Sequence, residues 1–360
     1  MDVRNDLPAK HGKETPMMLR TYCAMDLHHK HTVIEAQTRK GAVLLHRDGP
    51  TEPSYLITAV KAVPGPKGMV IEEGPMADWA MRVVQPYVEE VIVCDPRRNR
   101  LITHDGDKTD DIDPGKLIEL YRLRALRPVH HPRHQSMMDL RGWVWAYYDQ
   151  VELVTAAKNK IKAAFRMAGI QYDRVNVYSP RERASLMGRL TRPSGRERIK
   201  LLYANLDDLA ARRDLLYVRL DRIAERHPVA KRFLKIPGYG PIRAMTFLTI
   251  VDTPFRFATP QKLWRYGGLG LRRQESGDPD SGRKRPPVSY NRRLKAVARG
   301  AMERALSLED GNPFELLYNR LTRKGLKESL ARLSVARKCL SVPWGMWKGG
   351  TEYDPALVIR

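Results

Sequence analysis

Residues 19–46, with the sequence LRTYCAMDLHHKHTVIEAQTRKGAVLLH, contain three short apolar segments separated by polar turns. The first segment, 19–25, ends on Asp26, and the others occupy 32–36 and 42–46. Short runs rich in β-branched and aromatic residues, bounded by polar turns, are typical of β-strands. We therefore expect three strands that pair with one another through short turns.

Strand and helix patterns alternate after this stretch. Helical spacing and short apolar runs follow in turn at residues 51–63, 68–71, 76–84, 91–94 and about 114–126. Three strands followed by helix, strand, helix, strand and helix is the order of an RNase H-type module. The sequence thus predicts an α/β RNase H-like domain over residues 1–130.

Positive charge is distributed unevenly in this chain of 360 residues, whose formal net charge is +23. Residues 1–130 hold 19 basic and 19 acidic side chains, whereas residues 131–230 have a net charge of +8 and residues 231–360 of +15. A neutral module joined to strongly basic segments predicts binding of a polyanion, most simply nucleic acid. An anionic membrane surface is less favoured, because no basic amphipathic helix with an aromatic face stands out.

The remaining composition favours a cytoplasmic protein. No apolar run approaches the roughly 20 residues that span a bilayer, and the first 20 residues are polar and contain Pro8 and Pro16. The three cysteines, Cys23, Cys94 and Cys339, are far apart and do not have metal-binding spacing. We expect no membrane partner and no disulfide framework.

Four carboxylates of the first third form a candidate metal site. Asp26 and Glu72 each follow a predicted strand, and Asp110 and Asp113 precede a predicted helix. In an RNase H-type sheet these strand ends are neighbours and the late helix packs beside them. Carboxylate oxygens are ligands that Mg²⁺ prefers, so we predict a Mg²⁺ site, with Glu73 as the alternative to Glu72.

Residues 104–114, HDGDKTDDIDP, gather five aspartates. Pro114 favours a helix that begins there, with Asp113 as its N-cap. The other three aspartates, Asp105, Asp107 and Asp111, are interpreted as solvated turn residues. The histidines near residues 28–31 and 130–134 are interpreted as surface residues and not as a zinc site.

The middle third contains two long apolar stripes. From residue 137 to 165 and from 199 to 223, apolar side chains recur in steps of three and four, interrupted by Lys158 and Arg213. The pattern predicts an antiparallel helical pair or coiled coil within residues 131–230. The stripes pack either within the chain or against another subunit, and in the second case the two cations would help to set the register.

The last third combines glycine-rich turns with basic loops and helices. Residues 236–241, IPGYGP, match the turn of a helix-hairpin-helix, in which Gly238 and Gly240 let backbone N–H groups approach a phosphate. An ordinary turn between helices is the alternative. Residues 267–291 form a long basic loop, and 292–306 a basic helix. The predicted nucleic-acid contacts are Lys108, Gly238, Gly240, Arg272, Arg273, Arg283, Lys284, Arg285, Arg292 and Arg293.

Six short motifs together resemble one protein family. They are residues 25–30 (MDLHHK), 70–74 (VIEEG), 108–113 (KTDDID), 236–241 (IPGYGP), Gly268-Leu269 and Ser276-Gly277. Their order and spacing over residues 20–340 resemble the DEDD/serine insertion-sequence transposases, the bridge-RNA-guided recombinases of the insertion sequence one-hundred-and-ten type. Ser276 lies eight residues after Gly268, which is the interval of that family.

The resemblance implies a mechanism and a domain organisation. A RuvC-like RNase H domain would bind Mg²⁺ through the four carboxylates, and Ser276 would attack a DNA phosphate to give a covalent phosphoserine link. Ser281 is the alternative nucleophile nearby. Residues 131–230 would be the helical domain, 231–345 the transposase domain and 346–360 a tail.

The resemblance also implies partners. A structured guide (bridge) RNA would pair with donor and target DNA, and the protein would act on the prokaryotic nucleoid as a homo-oligomer: a dimer, or a tetramer on nucleic acid. Two other functions remain open: a metal-dependent nuclease that hydrolyses branched, Holliday-junction-type DNA, and a non-catalytic scaffold for nucleic acid.

Overall fold

A mixed five-stranded sheet organises the N-terminal part of the computed structural model. The strands are β1 Thr21–Leu27, β2 His31–Thr38, β3 Val43–Pro50, β4 Lys67–Glu72 and β5 Glu90–Cys94. Their order in the sheet is β3-β2-β1-β4-β5. The pairs β1–β2 and β2–β3 are antiparallel, whereas β1–β4 and β4–β5 are parallel. The five predicted strands are therefore confirmed, with the first three paired through short turns.

Helices cover both faces of this sheet. They are α1 Pro53–Lys61, α2 Ala77–Val84 and α3 Pro114–Arg122. Cys23 and Met25 of β1 lie in one core with α1 and α2, whereas Ala24 lies in a separate core with α3. Since successive residues of a strand point to opposite faces, β1 is buried on both sides. The predicted α/β class is confirmed for this part of the chain.

The structure describes residues 18–95, 114–132, 134–172, 176–270, 289–308 and 311–359. The chain divides into two compact units, Met1–Arg133 and His134–Arg360. In the parts of the chain that are described, no helix has the combination of length and apolar character that would let it cross a membrane.

The second unit is helical. Its helices are α4 Gln135–Met167, α5 Pro180–Gly188, α6 Pro193–Arg226, α7 Pro228–Phe233, α8 Pro241–Val251, α9 Pro260–Tyr266, α10 Arg292–Leu306, α11 Pro313–Arg323, α12 Glu328–Gly349 and α13 Ala356–Ile359. Seven of these helices have proline at their first position or asparagine at their N-cap, which are the favoured positions for these residues. Helix α5 lies between the two predicted stripes.

The two long helices, α4 and α6, run antiparallel. The Arg219 guanidinium lies 3.6 Å from the centre of the Trp143 ring near the start of α4. At the other end, the rings of Phe165 and Tyr203 are 6.4 Å apart. Residues of the two predicted stripes, such as Ile161 and Leu206, are buried in the seam. The predicted antiparallel helical pair is confirmed, and its stripes pack within the chain.

The polar interruptions of the two stripes do not pair with each other. The Lys158 ammonium lies over the ring of Tyr178, 5.0 Å from its centre. Arg213 donates to the carboxylate of its neighbour Asp214. Each cation therefore has its own partner, an aromatic ring for Lys158 and a carboxylate for Arg213.

The core of the second unit includes residues on both sides of residue 230, the predicted boundary between two domains. Leu220 and Ala224 of α6 are buried in the same cluster as Phe247 of α8 and Leu340 of α12. The predicted tail, residues 346–360, includes the end of α12 at Gly349, and Val358 of α13 is fully buried. Apolar side chains near the chain end thus complete this core.

Candidate functional site

Two of the four predicted metal ligands lie side by side at the carboxyl edge of the sheet. Met25 of β1 pairs with Ile71 of β4 in parallel register, so the next residues, Asp26 and Glu72, occupy adjacent positions. Neighbouring strands are about 5 Å apart, and residues at matching positions point to the same face. Asp26 lies two residues beyond Ala24 and so points to the same face. Both carboxylates therefore belong to the face that α3 covers.

The register distinguishes Glu72 from the alternative ligand Glu73. Glu73 is the next residue along the chain, its backbone N–H donates to the carbonyl of Cys94, and its side chain is exposed. Glu72 is partly buried and matches Cys94 in the register of β4 and β5. Glu72 is thus the glutamate that shares a row with Asp26.

The other two predicted metal ligands, both candidate serines and six predicted nucleic-acid contacts lie outside the described residues. These are Lys108, Asp110, Asp113, Arg272, Arg273, Ser276, Arg283, Lys284 and Arg285, and also the alternative serine Ser281. Helix α3 begins at Pro114, as expected from the sequence. Among the residues that are described, no three acidic, histidine or cysteine side chains converge as a metal-binding group. The pair of Asp26 and Glu72 is the part of the site that can be built from the described chain.

Asp26 has a histidine partner that the sequence interpretation missed. The Nε2 atom of His28 is 3.1 Å from Oδ2 of Asp26, and both side chains are partly exposed. The His28 ring stacks on His31, with ring centres 4.8 Å apart. The signal was the HHKH sequence directly after Asp26. The geometry gives His28 a defined place beside the candidate metal ligand instead of a free surface position.

A buried glutamate also belongs to this face of the sheet. Glu35 of β2 pairs with Ala24 of β1 and with His46 of β3. It accepts hydrogen bonds at 2.7 Å from Gln37 and at 3.1 Å from Nδ1 of His46. Because Ala24 and Asp26 share a face, Glu35 lies diagonally across from Asp26. Its strand position gave no signal in the sequence, since it lies inside an apolar run.

The glycine turn before α8 has two glycines with different roles. Gly238 has a positive φ of 87°, and a Cβ atom there would lie 2.2 Å from the carbonyl oxygen of Ala301 in α10. Only glycine permits so close an approach. A Cβ atom on Gly240 would meet nothing within 4 Å. Gly238 is therefore explained by packing against α10, in agreement with the alternative of a turn between helices.

The first turn of α8 is the part of this region suited to an anion. Gly240 is the N-cap and no side chain caps the helix, so its first N–H groups carry the positive end of the helix dipole. Arg243 and Arg304 line the open groove of about 390 Å³ beside it. Arg243 is fixed by donating to the Gly238 carbonyl at 2.9 Å.

The two described arginines of the predicted nucleic-acid surface differ in their surroundings. Arg292 is exposed and makes no hydrogen bond or ion pair with the described residues. Arg293 lies over the rings of Trp145 and Tyr148, at 5.1 and 4.3 Å, and pairs with Glu152 at 3.4 Å. Arg292 is thus the freer cation for a phosphate, whereas Arg293 stabilises the contact between α10 and α4.

Residues 264–270 and 289–291 flank residues 271–288 and contact each other. We call these two segments the loop stem. The backbone N–H of Asn291 donates to the carbonyl of Tyr266 at 2.8 Å. The Tyr290 ring packs on Gly268, where a Cβ atom would lie 2.6 Å from the ring. The positive φ of Gly268 turns the chain here. The segment that contains Ser276 therefore departs from and returns to a fixed stem.

Comparison with known proteins bears on this second unit. Residues 230–309, which include the glycine turn and the loop stem, match the family model described as "Transposase IS116/IS110/IS902 family". The chain is 28% identical over 154 residues to an insertion element IS110 uncharacterized 43.6 kDa protein of Streptomyces coelicolor. It is 30% identical over 132 residues to an insertion element IS900 uncharacterized 42 kDa protein of Mycobacterium paratuberculosis.

These matches support an IS110-type insertion-sequence transposase. The predicted family is thereby confirmed. The alignments cover 42% and 36% of this chain, and 37% and 32% of the two relatives. The chain thus spans about a third of the length of these curated relatives. The family match lies within residues 230–309 of the second unit.

The glycine turn before α8 yields a prediction about stability. Gly238→Ser should lower the free energy of unfolding by about 1–3 kcal/mol, because its Cβ would overlap the backbone of α10. Gly240→Ser is the matched control and should change it by less than about 0.5 kcal/mol, since space is open and serine is a good N-cap. Equal losses in denaturant-induced unfolding would contradict the assigned packing role.

Proposed function

We propose that the protein is an RNA-guided DNA transposase and recombinase that exchanges strands through a phosphoserine intermediate. The observation that carries the proposal is the match of residues 230–309 to the family's transposase domain, since this span contains Ser276 between two fixed stem segments. Family-level likeness supplies the guide RNA and the donor and target DNA. The net charge of +15 over residues 231–360 is consistent with these partners.

The strand order supports an RNase H-like, RuvC-like fold for the first unit. Three antiparallel strands are followed by two parallel ones on the far side of β1. This arrangement puts the ends of β1 and β4 together, as the predicted metal site requires. We also propose that α4 and α6 form a coiled-coil-like domain, and that residues 231–345 act as the transposase domain.

Asp26 and Glu72 fit a Mg²⁺ ion, because two hard carboxylate ligands share one row at the edge of the sheet. With Asp110 and Asp113 they would hold the ion, which when bound supplies charge neutralisation at a phosphate. His28 holds one oxygen of Asp26 and so orients its carboxylate. This role of His28 is that of a positioning residue.

The serine step conserves the phosphodiester bond. The Ser276 Oγ loses its proton and forms a bond to phosphorus, while one bond from phosphorus to a deoxyribose oxygen breaks and that oxygen takes up a proton. A new strand can reverse the step, attacking the phosphoserine ester and releasing serine, so no ATP is needed. The activating group must come from elsewhere in space, because all ten histidines precede residue 228.

A homo-oligomer is part of the proposal, and three exposed apolar side chains on α6 support it. Leu201, Leu215 and Val218 point away from the seam with α4, and the exposed fractions of these side chains are 68%, 72% and 45%. Leu215 and Val218 are three residues apart, and Leu201 lies two heptads before Leu215. A second copy of this chain is the occupant that we propose for this face.

The nucleophile is tested by trapping. Protein incubated with RNA and donor and target DNA should form an alkali-labile adduct that mass spectrometry maps to the peptide with Ser276. Ser276→Ala should eliminate the adduct and recombination while leaving nucleic-acid binding intact, and Ser281→Ala should retain both activities. Free cleaved ends without an adduct would instead identify a metal-dependent nuclease, and binding with neither product would identify a scaffold.

The metal site is tested by removing one ligand. Asp26→Asn should reduce Mg²⁺-dependent strand cleavage to below about 1% of wild type, because a neutral amide is a poor substitute for a charged ligand. Asp48→Asn is the control, since Asp48 is exposed on the edge strand β3 of the same sheet. Full cleavage by Asp26→Asn in magnesium would remove this residue from the site.

The oligomer is tested by light scattering. Wild-type protein should be at least a dimer when bound to nucleic acid, and the double variant Leu201→Ser/Leu215→Ser should have a lower mass. When both are measured as monomers, the double variant and the wild type should have nearly the same free energy of unfolding. The buried control Leu206→Ala should lower this free energy by about 2–5 kcal/mol. A wild-type monomer both free and with RNA and DNA would rule the oligomer out.

A further inference from the structure

Cations around the loop stem are held by aromatic rings. Each lies over the ring of a residue in the stem, at a distance from the ring centre typical of a cation–π contact. The pairs are Arg256 over Tyr266 at 4.5 Å, Lys295 over Tyr290 at 4.5 Å and Arg337 over Trp264 at 5.4 Å.

These three cations keep their charge unneutralised. Within the described chain, none of them has an aspartate or glutamate within ion-pair distance. Other arginines of the same unit are paired: Arg299 with Glu303, and Arg332 with Glu328. An aromatic ring fixes the position of a cation without cancelling its field at longer range. The stem therefore carries a fixed excess of positive charge.

Arg337 is the most constrained of the three. Its Nε donates to the carbonyl of Leu269 at 2.8 Å, directly before the segment that contains Ser276. Its ring partner Trp264 is itself fixed, because the indole N–H donates to Ser341 at 2.7 Å. Partial burial lowers the pKa of the guanidinium, so a cation is kept in an environment that disfavours charge.

The outer end of Arg337 remains available. Its two terminal nitrogens make no hydrogen bond to the described residues, and neither is a buried atom that lacks a partner. A guanidinium anchored through Nε presents these two nitrogens as a fork that matches two oxygens of a phosphate. Ser276 is six residues from Gly270, and six extended residues span about 20 Å at most.

We propose that Arg337 binds a phosphate of the DNA strand that Ser276 attacks, with Arg256 and Lys295 reinforcing the positive field around it. The inference rests on the proposed serine chemistry, and it names a contact outside the loop itself. The ligand is one phosphodiester group and its two non-bridging oxygens. Arg337 would thus hold the strand in register with the loop stem, as a binding residue that takes no part in proton transfer.

The salt dependence of binding tests this contact. A labelled DNA duplex is titrated with the Ser276→Ala protein from about 50 to about 200 mM KCl, and adding Arg337→Gln should reduce the slope of log K against log salt by about 0.9. Affinity at the lowest salt should fall about 10-fold or more. The matched control Arg332→Gln lies on the same helix and is neutralised by Glu328, so its slope should equal that of Ser276→Ala alone.

A conservative variant separates charge from anchoring. Arg337→Lys keeps the charge and should keep the slope, while losing affinity because the fork is gone. A slope unchanged in Arg337→Gln would overturn the inference. If the unfolding midpoint of that variant also fell, Arg337 would serve only to anchor Leu269.

The outcome is independent of the serine chemistry. Adduct trapping is performed in parallel on protein with an intact Ser276. If wild type forms no adduct while Arg337→Gln still reduces the slope, the phosphate contact stands and the proposed chemistry fails. If wild type forms the adduct and the slope is unchanged in Arg337→Gln, the chemistry stands and the contact is overturned.

Discussion

The parallel pairing of β1 with β4 is the constraint on which the first unit depends. Burial of Cys23 and Met25 on one side and of Ala24 on the other fixes β1 in the centre of the sheet. A slip of one residue would exchange its two faces and turn Asp26 toward the core of α1 and α2, so the register is strongly specified. That register alone places Asp26 beside Glu72, residues 46 positions apart in the chain.

Electrostatics in the second unit follows a different principle. Cations near the loop stem rest on aromatic rings, whereas others are cancelled by nearby carboxylates. A ring constrains a long basic side chain and reduces the entropy that binding would remove, yet leaves its charge available to a polyanion. The loop stem therefore combines a rigid position with an open positive field, which is suited to the nucleic-acid strand of the proposed function.

The same glycine motif shows how packing and binding share a few residues. Gly238 allows α10 to approach the turn, and its carbonyl fixes Arg243. Gly240 is the N-cap of α8, and no side chain caps the first N–H groups of that helix. One glycine is thus explained by the fold and the other remains open to a ligand, although the sequence treats the two alike.

The sequence by itself determined the elements and the family. Short apolar runs bounded by turns predicted the strands, steps of three and four predicted the long helices, and the spacing of short motifs predicted an insertion-sequence transposase, because each of these signals is read from the sequence alone. Only the tertiary structure decided that Glu72, not Glu73, shares the row of Asp26, that His28 binds Asp26, that Val358 completes a core, and that Arg337 holds the loop stem across 68 residues. These contacts join distant segments, and their geometry depends on register and packing, which no local pattern encodes.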